Sequence, residues 1–596
     1  MKSSSIKYDF RVLEDWLKLS QDGSVILPDF QRSFVWTMDK VKNYIQAIIN
    51  DKPVGFFLIL EKDRDKQFEP RDFYNLDFRN STGDFSEFIL DGQQRMTSLL
   101  QCIHGKAKSR LFVKFEDLSS SELEFSLLEA YGKETRKEKE YRDVSNSYDA
   151  NLVPLDILLK VHDDKAFSPL TNWCQEIFKS NSQEARLLEI KIDAFFKENF
   201  FKRQLWACFL PSSTDRPTAT DIFVETNTSS VKIKRFDIEV ARVESQHSEN
   251  LRTSINEECG KEGKNFGYYF KNDPEDWIPD IGEWMLKVAC LKSDLAPKEV
   301  NYKKALDLLY QQEMNKSNTI KKLLMHLSWS LEKASAFGAF TDRILPSWPP
   351  LHVIAALYEI YNEITNPSKI NSARELLSTY YWRCIFSDRY DAQANDRLFF
   401  DFVALKREFQ MIKIDGTWCS KNIPALNETD YPLCSHKSLL KHTPWIGKKT
   451  RLGRAVASLV MSNNPSDWIT GDPINENMFR DLEANRNLDT HHVFPKKLLE
   501  EANIDIDAIN SGLNGVFLNG RTNKGMSNLL PEIFIQNSEK KFLIKTTILQ
   551  KRIEEHLVPF ETMNSKGELK VLYDKFLNER AKIIAEKVAS LGEVKK

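Results

Sequence analysis

The spacing of apolar residues changes along this chain, and the change limits the folds that it can adopt. In the first hundred residues, the apolar runs Val54–Leu60 and Phe88–Leu90 predict buried strands. The helical period of Asp39–Ile49 predicts a helix among them. From about 240 to 430, nearly all apolar spacing is helical. This order predicts a mainly helical α+β protein, with an N-terminal α/β part and an all-α middle region.

The chain is too long for one hydrophobic core, since it has 596 residues. We therefore predict several domains, bounded at 1–240, 241–430 and 431–596. The charge is balanced, with 84 Lys and Arg against 86 Asp and Glu, so a protein that is basic throughout is excluded. Any surface for nucleic acid must be local.

The cysteine spacing and the apolar stretches of the sequence indicate the cellular compartment. The eight cysteines form no C-x-x-C pair, which predicts reduced thiols. Residues 1–9 contain no apolar stretch that could act as a signal peptide, and Val54–Leu60 is too short to cross a bilayer. We therefore expect a cytoplasmic protein without a membrane partner. Residues 62–86 and 116–150 are rich in charge and Ser, which predicts exposed loops or insertions.

The segment from 487 to 531 contains the residue types that phosphodiester hydrolysis needs. It includes Asp489, the pair His491 and His492, and two asparagines further on, Asn514 and Asn523. A histidine can accept a proton from water near neutral pH. Oxygen donors of Asp and Asn can hold Mg²⁺ or Mn²⁺.

This segment resembles the HNH nucleases, whose domain has a ββα-metal fold. The likeness lies in His492-Val-Phe-Pro495, the central Asn514, and the run Asn523-Lys-Gly-Met-Ser527. It implies that His492 is the general base, that Asn514 positions this base, and that Asn523 is a metal ligand. His491 stands where many relatives carry an Asp ligand, and Asp489 is the alternative ligand on the same strand face. The implied cofactor is a divalent metal, Mg²⁺ or Mn²⁺.

A basic stretch without acidic residues precedes this segment, between Cys434 and Ser466. Such a stretch can be a solvated face or can contact phosphates. Its position beside the HNH-like segment makes four of its residues candidates for DNA binding: Lys448, Lys449, Arg451 and Arg454.

Two polar clusters lie near strand ends in the N-terminal part. One contains Gln31 and Arg32, and the other is Asp91-Gly-Gln-Gln-Arg95. A Gly turn before a helix presents free N–H groups to an anion, and an arginine adds positive charge. Gln31 and Arg32 could instead hold the second cluster in place.

Together these clusters resemble the N-terminal ParB-like domain of GmrSD-type restriction proteins. The likeness extends to Ile222-Phe-Val-Glu-Thr-Asn-Thr228 and, through the HNH-like segment, spans most of the chain. It implies a nucleoside triphosphate site, with GTP, ATP and CTP left open. The residues that it implies for this site are Gln31, Arg32, Asp91, Gly92, Gln93, Gln94, Arg95 and Asn227.

The resemblance implies a DNA endonuclease of an anti-phage restriction system, in which nucleotide controls the HNH nuclease. The expected partner is double-stranded phage DNA, with modified bases as an open alternative. One HNH site cuts one strand, so a double-strand break would need a homodimer or successive nicking. Three rival functions are a nucleotide-switched DNA sensor that does not cut, a nucleotide hydrolase, and an RNA-cutting toxin.

Overall fold

The contacts of the chain divide it into two units, Met1–Leu251 and Arg252–Lys596. The computed structural model describes residues 6–28, 31, 34–62, 68, 70–74, 76, 85–158, 169–179, 181–227, 255, 257, 259, 263–270, 274–312, 317–446, 448, 450–480, 488–526 and 528–593. The predicted boundary near 240 lies close to the division between the units, whereas the one at 430 falls inside the second unit. The three-domain division stays a prediction.

The first unit contains a mixed six-stranded sheet and a three-stranded antiparallel sheet. Its strands are β1 (Lys7–Val12), β2 (Val25–Pro28), β3 (Phe57–Glu61), β4 (Pro70–Arg71), β5 (Glu87–Asp91), β6 (Ser109–Phe115), β7 (Phe125–Gly132), β8 (Leu152–Pro154) and β9 (Gln204–Leu210). The large sheet has the order β1-β9-β3-β5-β2-β4, and the small one has the order β7-β6-β8. Strands β2 and β5 pair in parallel, as do β3 and β9.

Helices pack on these sheets and bury a common core. They are α1 (Leu13–Gln21), α2 (Met38–Ile49), α3 (Gln93–Ile103), α4 (Arg136–Arg142), α5 (Val144–Asp149), α6 (Pro169–Ile177), α7 (Ser182–Phe196) and α8 (Arg216–Asn227). Helix α3 is buried along its whole length except at Arg95, so it lies at the centre of the unit. The core includes Trp16, Ile45 and Ile89, which are inaccessible to solvent.

Residues 116–150, predicted as exposed loops or insertions, are not loops, because they form β7, α4 and α5. The start of α4 is marked by the N-cap Thr135 and by Glu138. The hydroxyl of Thr135 accepts a hydrogen bond from the Glu138 N–H, and the Glu138 carboxylate accepts one from the Glu134 N–H. Of residues 62–86, the described part includes β4 and the buried Phe73, so this segment is not wholly exposed either.

The second unit is mainly helical. Its helices are α9 (Gly263–Tyr269), α10 (Pro274–Lys292), α11 (Glu299–Gln312), α12 (Ser317–Ala336), α13 (Pro349–Ala356), α14 (Tyr358–Asn362), α15 (Pro367–Ile385), α16 (Ala394–Asp415), α17 (His436–His442), α18 (Arg451–Ser462), α19 (Glu476–Arg480), α20 (Lys496–Glu501), α21 (Ile506–Ile509), α22 (Gly520–Met526), α23 (Pro531–Phe542), α24 (Thr546–Glu555), α25 (Phe560–Met563) and α26 (Leu569–Leu591). Two strands, β10 (Leu488–His492) and β11 (Gly515–Asn519), form an antiparallel pair among them. The predicted α+β character is therefore present, with helix predominating.

A buried histidine makes the stability of the second unit depend on pH. Neither ring nitrogen of His326 has a hydrogen-bond partner among the described residues, and the ring stacks on Tyr358. Burial lowers the pKa of His326 to about 3, Lys292 and Lys322 lower it further, and Glu359 lies 3.8 Å away. Below about pH 6.5 the histidine is protonated in the unfolded chain but stays neutral in the folded chain. The free energy of unfolding therefore decreases as the pH falls from about 6.5 towards 3.

We expect His326→Phe to remove this part of the acid sensitivity. Phenylalanine keeps the stacked ring and titrates no proton, so the variant should lose about 2 kcal/mol less stability than the wild type between neutral pH and about pH 5. Chemical denaturation at the two pH values measures the difference. His442→Phe, at an exposed position, is the control and should behave as the wild type. An unchanged pH dependence in His326→Phe would contradict the burial argument.

Candidate functional site

A two-stranded sheet and the helix after it hold the residues predicted for phosphodiester chemistry. Strand β10 pairs with β11 so that His492 lies opposite Gly515. Helix α22 begins directly after β11 and packs against both strands. The buried Asp467 fixes this junction, because its carboxylate accepts hydrogen bonds from the Asn519 N–H at 2.8 Å and from the Thr522 hydroxyl. We call β10, β11 and α22 the ββα unit.

Three predicted metal ligands come together on one side of the ββα unit. The amide Nδ2 of Asn523 on α22 donates to Oδ2 of Asp489 on β10 at 2.8 Å. His491 lies two residues after Asp489, so the two side chains project from the same strand face. His491 is buried, and its ring interacts with the side chains of Asn523 and Asp489.

The electrostatics of this cluster suit a cation. Burial lowers the pKa of His491 to about 4, against the opposing effects of Asn523 and Asp489. The ring is therefore neutral and a ring nitrogen can act as a ligand. No three described His, Cys, Asp or Glu side chains cluster in a way that could hold a metal, so a site here also needs the Asn523 amide oxygen. One imidazole, one carboxylate and one amide form a mixed donor set that fits a divalent ion such as Mn²⁺ or Mg²⁺.

The second histidine of the pair is held by two side chains that the sequence analysis missed. Nε2 of His492 lies 3.2 Å from Oδ1 of Asn510, and the imidazole stacks on Trp445 with centroids 4.1 Å apart and planes at 19°. Burial lowers the pKa of His492, the contact with Asn510 opposes this, and Lys496 and Glu500 have smaller, opposite effects. His492 is half-buried.

Asn514 lies in the interior and acts through the main chain. Its Oδ1 accepts a hydrogen bond from the Phe494 N–H at 2.9 Å. Its Nδ2 donates to the carbonyls of Phe494 and Ile509 at 3.1 and 3.2 Å. These bonds tie the residues that follow His492 to the end of α21, so Asn514 fixes the backbone around the predicted base.

An arginine from the helical part supports the other face of β10. Nη2 of Arg343 donates to the Thr490 hydroxyl at 2.9 Å, and the guanidinium lies over the Phe517 ring at 5.1 Å. Burial lowers the pKa of Arg343, against the attraction of Asp489 and Asp342. Arg343 and Thr490 are 147 residues apart in sequence, so no local pattern could indicate the contact.

The four predicted DNA-binding residues have different surroundings. Lys448 is exposed, and Lys449 lies outside the described residues. The guanidinium of Arg451 donates to two carbonyls at the end of α15 and to two aspartates that follow them. Arg454 donates to the Leu345 carbonyl at 3.2 Å, and burial lowers its pKa. The two arginines are thus engaged inside the second unit, and Lys448 is the described member that faces solvent.

In the first unit, the predicted nucleotide motif forms the turn from β5 into α3. Gly92 has a φ of 106°, and a Cβ there would lie 2.2 Å from a ring atom of Phe57, so only glycine fits. Arg95 pairs with Asp91 at 2.9 Å, donates to the Val54 carbonyl and lies over the Phe57 ring. The turn thus brings an ion pair to the N-terminal end of α3.

The glutamines of this region are buried. Gln31 donates to the Leu90 carbonyl, next to the start of the motif. Gln94 accepts a hydrogen bond from the Val35 N–H at 2.8 Å and donates to the Gln93 side chain at 3.1 Å. These contacts join the first polar cluster to the second.

Two predicted nucleotide residues cannot be placed in this arrangement. Arg32 lies outside the described residues. Asn227 is the last residue of α8, and its side chain also lies outside them. Their predicted roles therefore stay predictions.

The first unit also matches a known family. Residues 13–243 match the model of the GmrSD restriction endonuclease, N-terminal domain. Over this range the chain is similar to the N-terminal domain of the GmrSD-type restriction proteins. The matched range of the GmrSD N-terminal domain begins directly after β1 and includes β2 to β9 with the Asp91–Arg95 motif. The predicted resemblance is confirmed there, and the ββα unit lies beyond the matched range.

One curated relative extends over nearly the whole chain. The chain is 23% identical to the uncharacterized protein MJ0686 of Methanocaldococcus jannaschii, over 98% of this chain and 99% of the relative. The similarity thus extends over nearly the full length of both proteins.

The description of the matched family model bears on the broad class of the protein. The model is that of a restriction endonuclease domain, a class of defence nuclease whose substrate is DNA. Among the described helices of the chain, none has the length and apolar character that crossing a bilayer requires.

Proposed function

We propose that this protein is a restriction-type endonuclease whose ββα unit is a metal-dependent HNH nuclease. The observation that carries the proposal is the cluster of three donor residues, in which the buried His491 interacts with Asn523 and Asp489, and Asn523 donates to Asp489. Their imidazole, carboxylate and amide groups form a mixed donor set that fits a divalent ion. The match of residues 13–243 to a restriction endonuclease domain adds independent support.

In this proposal each residue has a defined chemical task. His492 accepts the proton of a water molecule that attacks the scissile phosphorus, and Asn514 keeps the backbone of His492 in place. His491, Asn523 and Asp489 would hold the divalent ion. Such an ion neutralises phosphate charge and stabilises the leaving 3′-oxygen. The expected products carry 5′-phosphate and 3′-hydroxyl ends.

We further propose that the GmrSD N-terminal domain, with a ParB-like fold, binds and hydrolyses a nucleoside triphosphate and so controls cutting. The Gly92 turn supports this, since it brings a charged side chain, Arg95, to the N-terminal end of α3, where a phosphate would be favoured. The ion pair of Asp91 and Arg95 borders the turn. Arg95→Ala tests the nucleotide role: lost triphosphate hydrolysis with intact DNA cutting would separate the two activities.

DNA contact is proposed for the exposed Lys448 and for Lys449. Both follow Trp445, which touches His492, so phosphate bound there would lie near the proposed base. Arg451 and Arg454 hold the second unit together in the structure and are not assigned to DNA. Double-stranded phage DNA, with or without modified bases, is the proposed substrate.

The test is a nicking assay on supercoiled plasmid and on phage genomes. The purified chain is incubated with Mg²⁺, Mn²⁺ or a chelator, with and without GTP, ATP or CTP, on modified and unmodified genomes. Metal-dependent nicking that the chelator abolishes is the expected result. Triphosphate hydrolysis without cutting under any of these conditions would refute the nuclease assignment and favour a nucleotide-switched sensor.

We expect Asn523→Ala to raise the Mn²⁺ concentration for half-maximal nicking by about 10- to 100-fold. The substitution removes the amide oxygen and releases the Asp489 carboxylate from its hydrogen bond. Metal titrations of the nicking rate give the value. The exposed Asn528, two residues beyond α22, supplies the control: Asn528→Ala should titrate as the wild type. Equal metal dependence of both variants would remove Asn523 from the metal site.

A further inference from the structure

Two side chains fix the ring of His492 in different ways. Asn510 meets the ring edge at Nε2, 3.2 Å from its Oδ1, and Trp445 covers one ring face at 4.1 Å. The first contact sets the rotation of the imidazole within its plane, and the second sets the tilt of that plane.

Asn510 is itself held firmly. It ends α21, where its N–H donates to the Ile506 carbonyl. The adjacent Ile509 carbonyl accepts from Asn514, and the Ala508 carbonyl accepts from the Tyr573 hydroxyl of α26 at 2.7 Å. The amide oxygen that faces His492 thus belongs to a well-anchored turn.

Trp445 is held by the loop on the other side. The Gly512 N–H donates to the Thr443 carbonyl at 2.9 Å. A Cβ at Gly515 would lie about 3.0 Å from the Trp445 and Ile446 side chains, so the missing side chain makes room for the indole. The indole packs into the space beside Gly515 and lies against His492.

We propose that Asn510 and Trp445 are positioning residues that select the reactive nitrogen of His492. The amide oxygen of Asn510 can only accept, so the neutral imidazole carries its proton on Nε2 and donates it. The lone pair is then on Nδ1, which becomes the atom that takes the proton from water. This inference rests on the proposed nuclease function for its catalytic meaning, while the tautomer itself can be observed without any reaction.

The first test is ¹⁵N NMR of metal-free protein with labelled histidine. His492→Ala identifies the His492 signals by their absence. We expect the shifts of a protonated Nε2 and an unprotonated Nδ1 in the wild type, and a mixture of tautomers in Asn510→Ala. A proton on Nδ1, or a spectrum that Asn510→Ala leaves unchanged, would overturn the proposal.

The second test separates positioning from binding. Asn510→Ala and Trp445→Ala should lower kcat for nicking by about 10- to 100-fold, with KM for DNA and the half-maximal Mn²⁺ concentration unchanged. Asn510→Asp retains an acceptor and Trp445→Phe retains a stacked ring, so both should recover most of the rate. Asn528→Ala is the control for an asparagine outside the site. Thermal unfolding of each variant shows whether it is folded, and the conservative variants keep the test valid if an alanine variant is not.

The outcomes separate the positioning role of Asn510 from the proposed nuclease activity. If the wild type nicks DNA and Asn510→Ala nicks at the same rate, the positioning role is refuted and the nuclease proposal stands. If the wild type does not nick DNA, the nuclease proposal fails, and the NMR spectra still decide the tautomer.

Discussion

His492→Ala is expected to reduce metal-dependent DNA nicking by about 10²- to 10⁴-fold, the usual contribution of a general base. The imidazole is half-buried at the end of β10 and lies next to His491, the proposed metal ligand. Alanine removes the proton acceptor and leaves the Asp489–Asn523 pair in place. Initial rates on supercoiled plasmid at saturating Mn²⁺ measure the loss.

The matched control is His442→Ala, at the exposed C-terminal end of α17, which should nick at the wild-type rate. Filter binding of DNA and triphosphate hydrolysis should be unchanged in both variants. Full protection of cells from phage by His492→Ala would favour the sensor function, because sensing needs no proton acceptor. Nicking by His492→Ala at the control's rate would remove His492 from the chemistry.

Arg580→Met is expected to lower the free energy of unfolding of the second unit by about 4 kcal/mol, since four buried carbonyls lose their donor. Arg580 on α26 is inaccessible to solvent and has no carboxylate partner among the described residues. Its guanidinium donates to the carbonyls of Leu513, Gly515, His556 and Leu557. Burial lowers its pKa to about 9, so it remains charged at neutral pH. Chemical denaturation measures the effect.

Two further variants test whether the lost hydrogen bonds explain the effect of Arg580→Met. Lys582→Met, two residues along the same helix and exposed, should change stability by less than about 0.5 kcal/mol. Arg580→Lys keeps a charge but cannot span the carbonyls on both sides of Asn514, so its cost should be intermediate. A wild-type denaturation midpoint for Arg580→Met would mean that these carbonyls find other donors.

Much of the first unit could be predicted from the sequence, because its apolar runs are short and clearly bounded. The predicted strands Phe88–Leu90 and Val54–Leu60 correspond to β5 and β3. Strand β3 begins at Phe57, three residues later than predicted, because Gly55 adopts a φ of 83° and leaves room for Arg95. Apolar spacing cannot anticipate a long-range contact of this kind.

Helical spacing predicted the location of the middle helices better than their ends. Within the predicted helical region, the apolar spacing runs without a break from Leu351 to Ile364, but the structure divides this stretch into α13 and α14 at Leu357. The Leu357 N–H is shared between the carbonyls of Val353 and Ile354, which ends the first helix. Apolar side chains continue across this break, so the periodicity alone could not show it.

Some residues of the candidate site could be predicted from the local sequence, and others could not. Strand alternation was enough to place Asp489 and His491 on one face. Asn510 lies only four residues before Asn514, but nothing in its neighbourhood marks it as the partner of a histidine. Arg343 reaches Thr490 across 147 residues, and such a contact depends on how the helices pack.

Because Arg343 donates a hydrogen bond to Thr490, the ββα unit depends on a residue that lies far from it in the sequence. A fragment excised at residue 431 would keep His492, Trp445 and α26 but would lose the guanidinium that covers Phe517. The back of β10 would then expose an aromatic ring and an unpaired hydroxyl to water. A transplant into another protein, or a minimal nuclease built for biotechnology, therefore has to include the α12–α13 connection.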